Sequence, residues 1–400
     1  MKLLQVVWNF PATVMHPFDM YYFYWPVHEA VRRGWQAEVL TFQINEDQPL
    51  EEIIDGIRVR RCPAAKRKGH LFSWPFIHAL LTSDADIIHC HGYGEGHSEL
   101  AILLARLQGR KVIFSPHFHV YPYRRPAREL YDRTLGRGFF QLSHRVIVFT
   151  EYTRQQLCEI GVQRERLCVV PHVARPEVFA DNAENQQAGN LLSLAGVTGM
   201  PLILGVGQLI ERKGWEYIVR CLPAIVARFP NAKLLIIGPS QPAEPLFHRR
   251  LLQLAMRAGV AEHIQIFQDN SPAFIRNAYR CATLLTHPSF VESFGMVLLE
   301  AMAAGLAIVA HNGSGMSCIV DDGATGYVVD VRNTRAYTQA LLKLLSDPAL
   351  RQQMGEEGQR QARTRFSQAK IADRLFDIYT DDDYKDIFIA YQEKEAIARF

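Results

Sequence analysis

The strongest constraint on this chain is an alternation, run through twice, of short unbroken apolar segments with longer helix-forming ones. Leu3–Trp8, Ala37–Thr41, Ile57–Arg61, Ile87–Cys90, Val112–Ser115 and Val146–Thr150 make the first series of apolar runs. Runs this short, apolar on both faces, suit strands buried in a parallel sheet, and segments such as His28–Gly34 and Glu99–Leu107 supply helices between them. A second series opens at Pro201–Val206. It continues through Lys233–Ile237, Ile264–Phe267, Thr283–Thr286, Leu306–Ala310 and Gly326–Val329, with Trp215–Phe229 and Pro245–Ala258 as helices. Repeated β–α–β units predict an α/β protein of two doubly wound, Rossmann-like domains facing a cleft.

Between the two series Asp181–Gly199 turns polar, which sets the expected boundaries: a first domain over 1–185, a linker over 186–200, a second domain over 201–370, and a C-terminal helix or tail over 371–400 that packs back towards the first. A length of 400 residues with 48% hydrophobic content is enough for two cores. The net charge of +3 is small for that length, so no nucleic-acid partner is expected. The seven cysteines are odd in number and form no CxxC, as in reduced thiols of a cytosolic protein. The start of the chain is too short in apolar residues for a signal segment, and no run reaches about 18 apolar residues. A cytoplasmic protein is expected.

Two stretches point to a surface role. Arg58–His70 carries Arg58, Arg60, Arg61, Lys66, Arg67 and Lys68 without an acid and runs into Leu71, Phe72, Trp74 and Phe76; Tyr121–Arg137 mixes five arginines with Tyr121, Tyr123 and Tyr131. Basic plus aromatic residues suit an anionic membrane surface at the inner face or an anionic acceptor. A solvated loop followed by an ordinary amphipathic helix accounts for them at least as well.

The segment His287–Gly315 carries the clearest chemistry. It reads as strand end, acidic loop, helix and strand, with Ser293 as N-cap, helix formers from Phe294 to Ala304 and Gly305 as the stop. Glu292 lies in the loop and Glu300 about two turns into the helix. The backbone N–H groups of Gly295, Met296 and Val297 at the helix start make an anion site, because a helix N-terminus carries roughly half a positive charge. Carboxylates for hydroxyls and amides for a phosphate suit a sugar nucleotide.

Gly205-Val206-Gly207 follows an apolar run, but Ile210 stands where a dinucleotide fingerprint needs its third glycine. A glycine turn running into Glu211-Arg212-Lys213-Gly214 instead offers close backbone approach plus a mobile cation, which a diphosphate needs. Lys213 is therefore a candidate phosphate ligand; its bland reading is an exposed helix-start lysine. At the strand ends of the first half fall His91-Gly92 and Pro116-His117-Phe118-His119, where doubly wound sheets bind ligands. The HxH spacing at His89/His91 and His117/His119 would allow a metal pair, but no carboxylate-rich partner accompanies it and no metal is expected. A hydrogen-bonding or core histidine is the reading for His89 and His119, while His117, at the strand end, is open between that reading and contact with substrate. Asp84-Ala85-Asp86 has the form of a cation-binding DxD, yet it precedes its strand where such a motif should follow one.

These motifs together resemble the retaining GT-B glycosyltransferases of family 4. The ordered series carries the resemblance: Gly207-Gln208-Leu209 with Lys213-Gly214, Gly238, Pro288-Ser289, Glu292 and Glu300 separated by seven residues, Gly305, and Gly323-x-x-Gly326-Tyr327. The first half matches more faintly, through His91-Gly92, His117 and Val169-Val170-Pro171. The resemblance implies transfer of a sugar from a nucleoside-diphosphate donor to a carbohydrate or lipid-linked acceptor, with retention. By the same resemblance Glu292 would contact donor sugar hydroxyls and Glu300 the ribose. Lys213 and the amides of Gly295, Met296 and Val297 would hold the diphosphate, and His117 would contact the transferred sugar. Gly207, Gln208 and Arg212 complete the expected donor site. Three positions depart from the pattern. The family usually has arginine at Gln208, a glycine pair where Trp8-Asn9-Phe10-Pro11-Ala12 stands, and often a glutamate at Cys318. Two other readings remain at this point: a non-catalytic nucleotide-sugar-binding scaffold of the same fold, and a glycoside hydrolase using Glu292 and Glu300.

Overall fold

The computed structural model describes residues 1–10, 21–63, 65–67, 70–117, 126–179, 201–240, 244–268 and 271–384, with backbone only at 21, 65–67 and 70–72. The chain forms two units, Met1–Pro171 with Ile371–Phe400, and His172–Lys370. The change of unit at Pro171 comes before residue 185. Ala174 N–H donates to the Phe366 carbonyl at 2.8 Å, and the His172 ring sits edge-on to Phe294 at 4.9 Å, which ties 172–179 to the second unit. The expected linker, 186–200, lies outside the described residues, as does the tail beyond 384.

The first unit is built on an eight-stranded sheet of order β10-β9-β8-β7-β1-β2-β4-β3. Its strands are β1 (Lys2–Val6), β2 (Gln36–Phe42), β3 (Glu51–Ile54), β4 (Ile57–Cys62), β7 (Ile87–His91), β8 (Lys111–Ser115), β9 (Arg145–Val148) and β10 (Leu167–Val169); β5 (Ala65–Arg67) and β6 (His70–Phe72) form a separate hairpin. All neighbours are parallel except the hairpin β3–β4, whose turn puts Asp55 at φ 49° and Gly56 at φ 80°. β3 has no apolar run to announce it, because an edge strand buries only part of its surface. The first helix runs Tyr21–Arg32 rather than His28–Gly34, carrying Pro26 inside it, and Gly34 at φ 79° follows its end.

The second unit has a six-stranded, wholly parallel sheet of order β13-β12-β11-β14-β15-β16. These are β11 (Leu202–Val206), β12 (Lys233–Ile237), β13 (Ile264–Phe267), β14 (Leu284–His287), β15 (Ile308–His311) and β16 (Gly326–Val329). β11 is buried along its whole length, as its unbroken Leu-Ile-Leu-Gly-Val implies. Both units are thus Rossmann-like, as the alternation of runs predicts. Helix Gln368–Thr380 closes the described chain, and from Ile371 it belongs to the first unit, burying Leu375, Phe376, Ile378 and Tyr379.

The arginines of the first basic stretch are engaged within the sheet: Arg58 with Glu51 at 3.0 Å, Arg60 with Glu38 at 3.1 Å, and Arg61 with Glu52. In the second, Arg128 pairs with Asp132 at 2.9 Å and Arg133 with Glu129 at 3.0 Å, while Tyr121 and Tyr123 lie outside the described residues. Asp84 and Asp86 both bind Lys2, a structural role consistent with their place before β7. None of the seven cysteines is joined in a disulfide. Among the described residues no helix is long and apolar enough to cross a membrane.

Candidate functional site

Two loops of the second unit are stitched together by their backbones. The turn after β11 begins at Gly207, whose φ of 148° favours glycine, and it passes so close to the end of β12 that a Cβ on Gly238 would meet the Gly207 carbonyl oxygen at 2.0 Å. The same turn ends at Gly214, at φ 70°, where a Cβ would lie 2.4 Å from the Pro288 carbonyl oxygen. Across this contact Phe290 N–H donates to the Arg212 carbonyl at 2.9 Å, and the Arg212 guanidinium donates to the Val291 carbonyl at 3.2 Å. The result sets Lys213 against Glu292, residues 79 positions apart in the chain.

Lys213 Nζ forms an ion pair with Glu292 Oε1, and His287 Nε2 lies 3.3 Å from the same oxygen. The Lys213 and Glu292 side chains are only 11% and 12% exposed, so water screens the pair little. Burial pushes the Glu292 carboxyl up, but the Lys213 charge and the His287 hydrogen bond outweigh it and hold the group well below the usual carboxylate range. His287 is pushed down, chiefly by burial, against the opposing pull of Glu292. It is therefore a neutral ring donating Nε2–H to an ionised carboxylate. Lys213 is not the exposed helix-start lysine of the bland reading.

The helix that follows begins at Met296, not Phe294, and ends at Ala304 before Gly305 at φ 78°. Gly295, at φ 97°, occupies the N-cap in place of Ser293, because the chain must turn through a left-handed conformation to enter the helix. Met296 and Val297 are then its first residues, whose N–H groups have no acceptor within the helix. Glu300 Oε2 accepts a hydrogen bond from the Tyr279 hydroxyl at 2.6 Å, which orients the carboxylate from helix Pro272–Cys281. At the departure noted in the sequence, Gln208 Oε1 accepts from Arg212 Nη2 at 3.0 Å. The guanidinium four residues on therefore reaches the Gln208 side chain.

In the first unit the expected histidines gather at the ends of β7 and β8. The rings of His89 and His91 are tilted against each other with centroids 4.0 Å apart, and His91 Nδ1 lies 3.1 Å from His117 Nε2. His89 bonds Ser115 Oγ at 2.8 Å and the Tyr379 hydroxyl at 2.7 Å, as its hydrogen-bonding reading requires. His117 stands at φ 49°, rare for a residue with a Cβ, with its ring 5.0 to 5.3 Å from those of Phe149, Tyr22 and Phe23. His119 lies outside the described residues. Among the described residues no group of three or more His, Cys, Asp or Glu side chains is arranged to hold a metal ion.

The sequence points to Lys213, Glu292, Glu300, Arg212 and His117 but not to His287, which bonds Glu292, to Tyr279, which bonds Glu300, or to Tyr379, which bonds His89. His287 was legible in principle, as the last residue of an apolar strand five positions before Glu292. Tyr279 and Tyr379 carried no signal, since each approaches from another helix, 21 residues from Glu300 and 290 from His89.

Comparison with known proteins adds to this geometry. The family model for glycosyl transferases group 1 matches residues 194–361, and that for the glycosyl transferase 4-like domain matches 21–172. A D-inositol 3-phosphate glycosyltransferase of Corynebacterium glutamicum is 32% identical over 221 residues, spanning 54% of this chain and about half, 52%, of the relative. The Nocardia farcinica protein of the same name is 26% identical over 375 residues, 88% of this chain and 82% of its own length. Among solved structures, Anabaena HepE in complex with UDP superimposes with a TM-score of 0.76 at 15% identity, covering 95% of this chain and 100% of that one. Sucrose-phosphate synthase from Thermosynechococcus elongatus gives 0.75 at 19% identity, over 94% and 98%. With both halves matched in order, and the motif series seated on two Rossmann-like units, the chain belongs to the family 4, group 1 glycosyltransferases of GT-B fold.

Proposed function

We propose that this protein transfers a hexose from a nucleoside-diphosphate donor to a carbohydrate or lipid-linked acceptor with retention of anomeric configuration. The observation that carries the reading is the buried Lys213–Glu292 pair, set just ahead of the helix start at Met296 and Val297. Such a site offers a cation and backbone amides to a diphosphate and an ionised carboxylate to sugar hydroxyls. The anomeric carbon–oxygen bond to the diphosphate breaks, the bond to the acceptor oxygen forms on the same face, and the acceptor's proton passes to a diphosphate oxygen. No protein base is needed in this scheme. The protein's work is positioning and stabilisation of charge on the leaving diphosphate, by Lys213, Arg212 and the amides of Gly295, Met296 and Val297. Glu300 takes the ribose, Gly207 and Gln208 line the donor loop, and His117 contacts the transferred sugar. With the charge met by these groups no metal ion is required, so turnover should be unchanged by a chelator.

A glycosidase needs one carboxyl with a raised pKa as its acid, and Glu292 is shifted the other way. Glu292 is therefore not the acid of a glycosidase pair. The donor class is supported by the structural neighbour in complex with UDP-glucose, and the names of the inositol phosphate relatives add phosphorylated polyols to the acceptors worth testing. A peripheral site at the inner membrane face is supported by Trp74, Leu130 and Leu135, which are 71%, 66% and 69% exposed. Sedimentation with anionic and neutral vesicles tests it: selective binding to the anionic ones is expected, and negligible binding to both removes it. The reading as a whole is tested by incubating the protein with a panel of nucleotide sugars and acceptors and following nucleoside diphosphate. Binding of a donor without release from any of them would leave the scaffold alternative, to which Gln208 lends its support.

A further inference from the structure

One connected row of side chains in the first unit runs from the C-terminal helix to His117. Tyr379, fully buried on helix Gln368–Thr380, places its hydroxyl 2.7 Å from His89 Nδ1, and His89 Nε2 lies 2.8 Å from Ser115 Oγ. Burial pushes His89 down to about 3, so the ring is neutral at pH 7 and one nitrogen must accept while the other donates. The phenol is the stronger donor, which gives Tyr379 O–H to Nδ1 and Nε2–H to Ser115. With both nitrogens engaged, the plane of the His89 ring is set.

That plane is the surface on which His91 rests, at 4.0 Å between centroids and 35° between planes. The backbone of His91 is held separately, its carbonyl accepting from His97 Nε2 at 3.0 Å and Ser98 Oγ at 2.6 Å. What remains to be fixed is its ring, which packs on His89 and edge-on to Phe23 at 5.1 Å, and which meets His117 Nε2 through Nδ1 at 3.1 Å. His117 in turn projects from a left-handed residue two positions beyond the end of β8.

We propose that Tyr379 is a positioning residue for sugar transfer: its hydroxyl fixes the His89 ring, which fixes His91 and so the orientation of His117. The inference rests on the reading that His117 contacts the transferred sugar. It gives the C-terminal helix a function that packing alone does not.

The test is Tyr379→Phe in the full chain, which keeps the ring contacts with Phe376 at 5.3 Å and Trp35 at 6.1 Å while removing the hydroxyl. Imidazole nitrogen spectra should show His89 moving from a single tautomer towards an average and the His117 resonance shifting. At saturating donor, kcat should fall about fivefold, the scale of one lost hydrogen bond, with donor KM unchanged. Ser115→Ala, which removes the other His89 partner, should do the same. Phe376→Leu is the packing control on the same helix and should leave the His117 resonance in place. Wild-type spectra and turnover in both Tyr379→Phe and Ser115→Ala would overturn the proposal, and a shifted His117 resonance with wild-type turnover would overturn its link to transfer. If the unmodified protein turns over no donor at all, the proposed function fails, while the His117 spectra still decide whether Tyr379 positions it.

Discussion

In the first unit the candidate residues are aromatic and imidazole rings, held by ring contacts and hydrogen bonds whose partners come from β7, β8 and the last helix. In the second unit they are charges, Lys213 against Glu292 with a neutral histidine behind, on loops sewn together by main-chain contacts. The ring row is held by packing and hydrogen bonds, with His89 neutral at its base. A buried ion pair instead waits in a compensated state, and an arriving dianion competes with Glu292 for Lys213. The two regions should therefore answer differently to substitution and to pH.

The largest effect is expected from Lys213→Ala. Turnover should fall by roughly a hundredfold, the ~3 kcal/mol typical of removing a donor to developing oxyanion charge. Stability should fall as well, by about 3 kcal/mol, because Glu292 is left ionised and poorly compensated. Adding Glu292→Gln should recover much of the stability and none of the turnover, which thermal melts and product assays can separate. Equal recovery of both would assign the pair a purely structural role.

The pH dependence sharpens the contrast further. Glu292 has a folded pKa below its ordinary value of 4.5, so its stabilisation is present above that value and is lost as pH falls below it. His89 and His287 are also depressed, from 6.5, and the unfolded chain takes up their protons first, so stability falls with pH from about 6.5 downward in both units. Acid melts of Glu292→Gln should flatten the limb below 4.5, while the 6.5 to 4.5 limb persists, because losing the Glu292 charge only lowers His287 further. A change confined to the upper limb would mean that His287, not Glu292, carries the ionic site's acid sensitivity.

The smallest expected change is in Tyr279→Phe, which frees Glu300 from its 2.6 Å hydrogen bond. About 1 kcal/mol of orientation should be lost, seen as a roughly fivefold rise in donor KM with little change in kcat. Loss in kcat instead would move Glu300 from ground-state binding to the transition state.

The contrast also explains what the sequence disclosed. Strands within the sheets were legible because parallel β-strands buried on both faces must be apolar, as in β11, whereas the edge strand β3 was not. The ionic site was legible because its ligands lie in local motifs, Lys213 between Gly207 and Gly214 and Glu292 ahead of Gly295. The start of its helix was misread at Ser293, since composition favours a serine cap and only the φ of 97° at Gly295 shows where the chain turns in. The aromatic and histidine row was half legible. His117 announced itself at a strand end, but Tyr379 is 290 residues from His89, and no local pattern records a pairing at that distance.

The central claim, that the charged loop pair serves sugar transfer, is tested most directly by following nucleoside diphosphate release from a panel of nucleotide sugars, with the unmodified protein and Lys213→Ala side by side. The account predicts acceptor-dependent release from at least one donor and a roughly hundredfold loss on removing Lys213. Release that is indifferent to Lys213, or donor binding with no release under any acceptor, would contradict it.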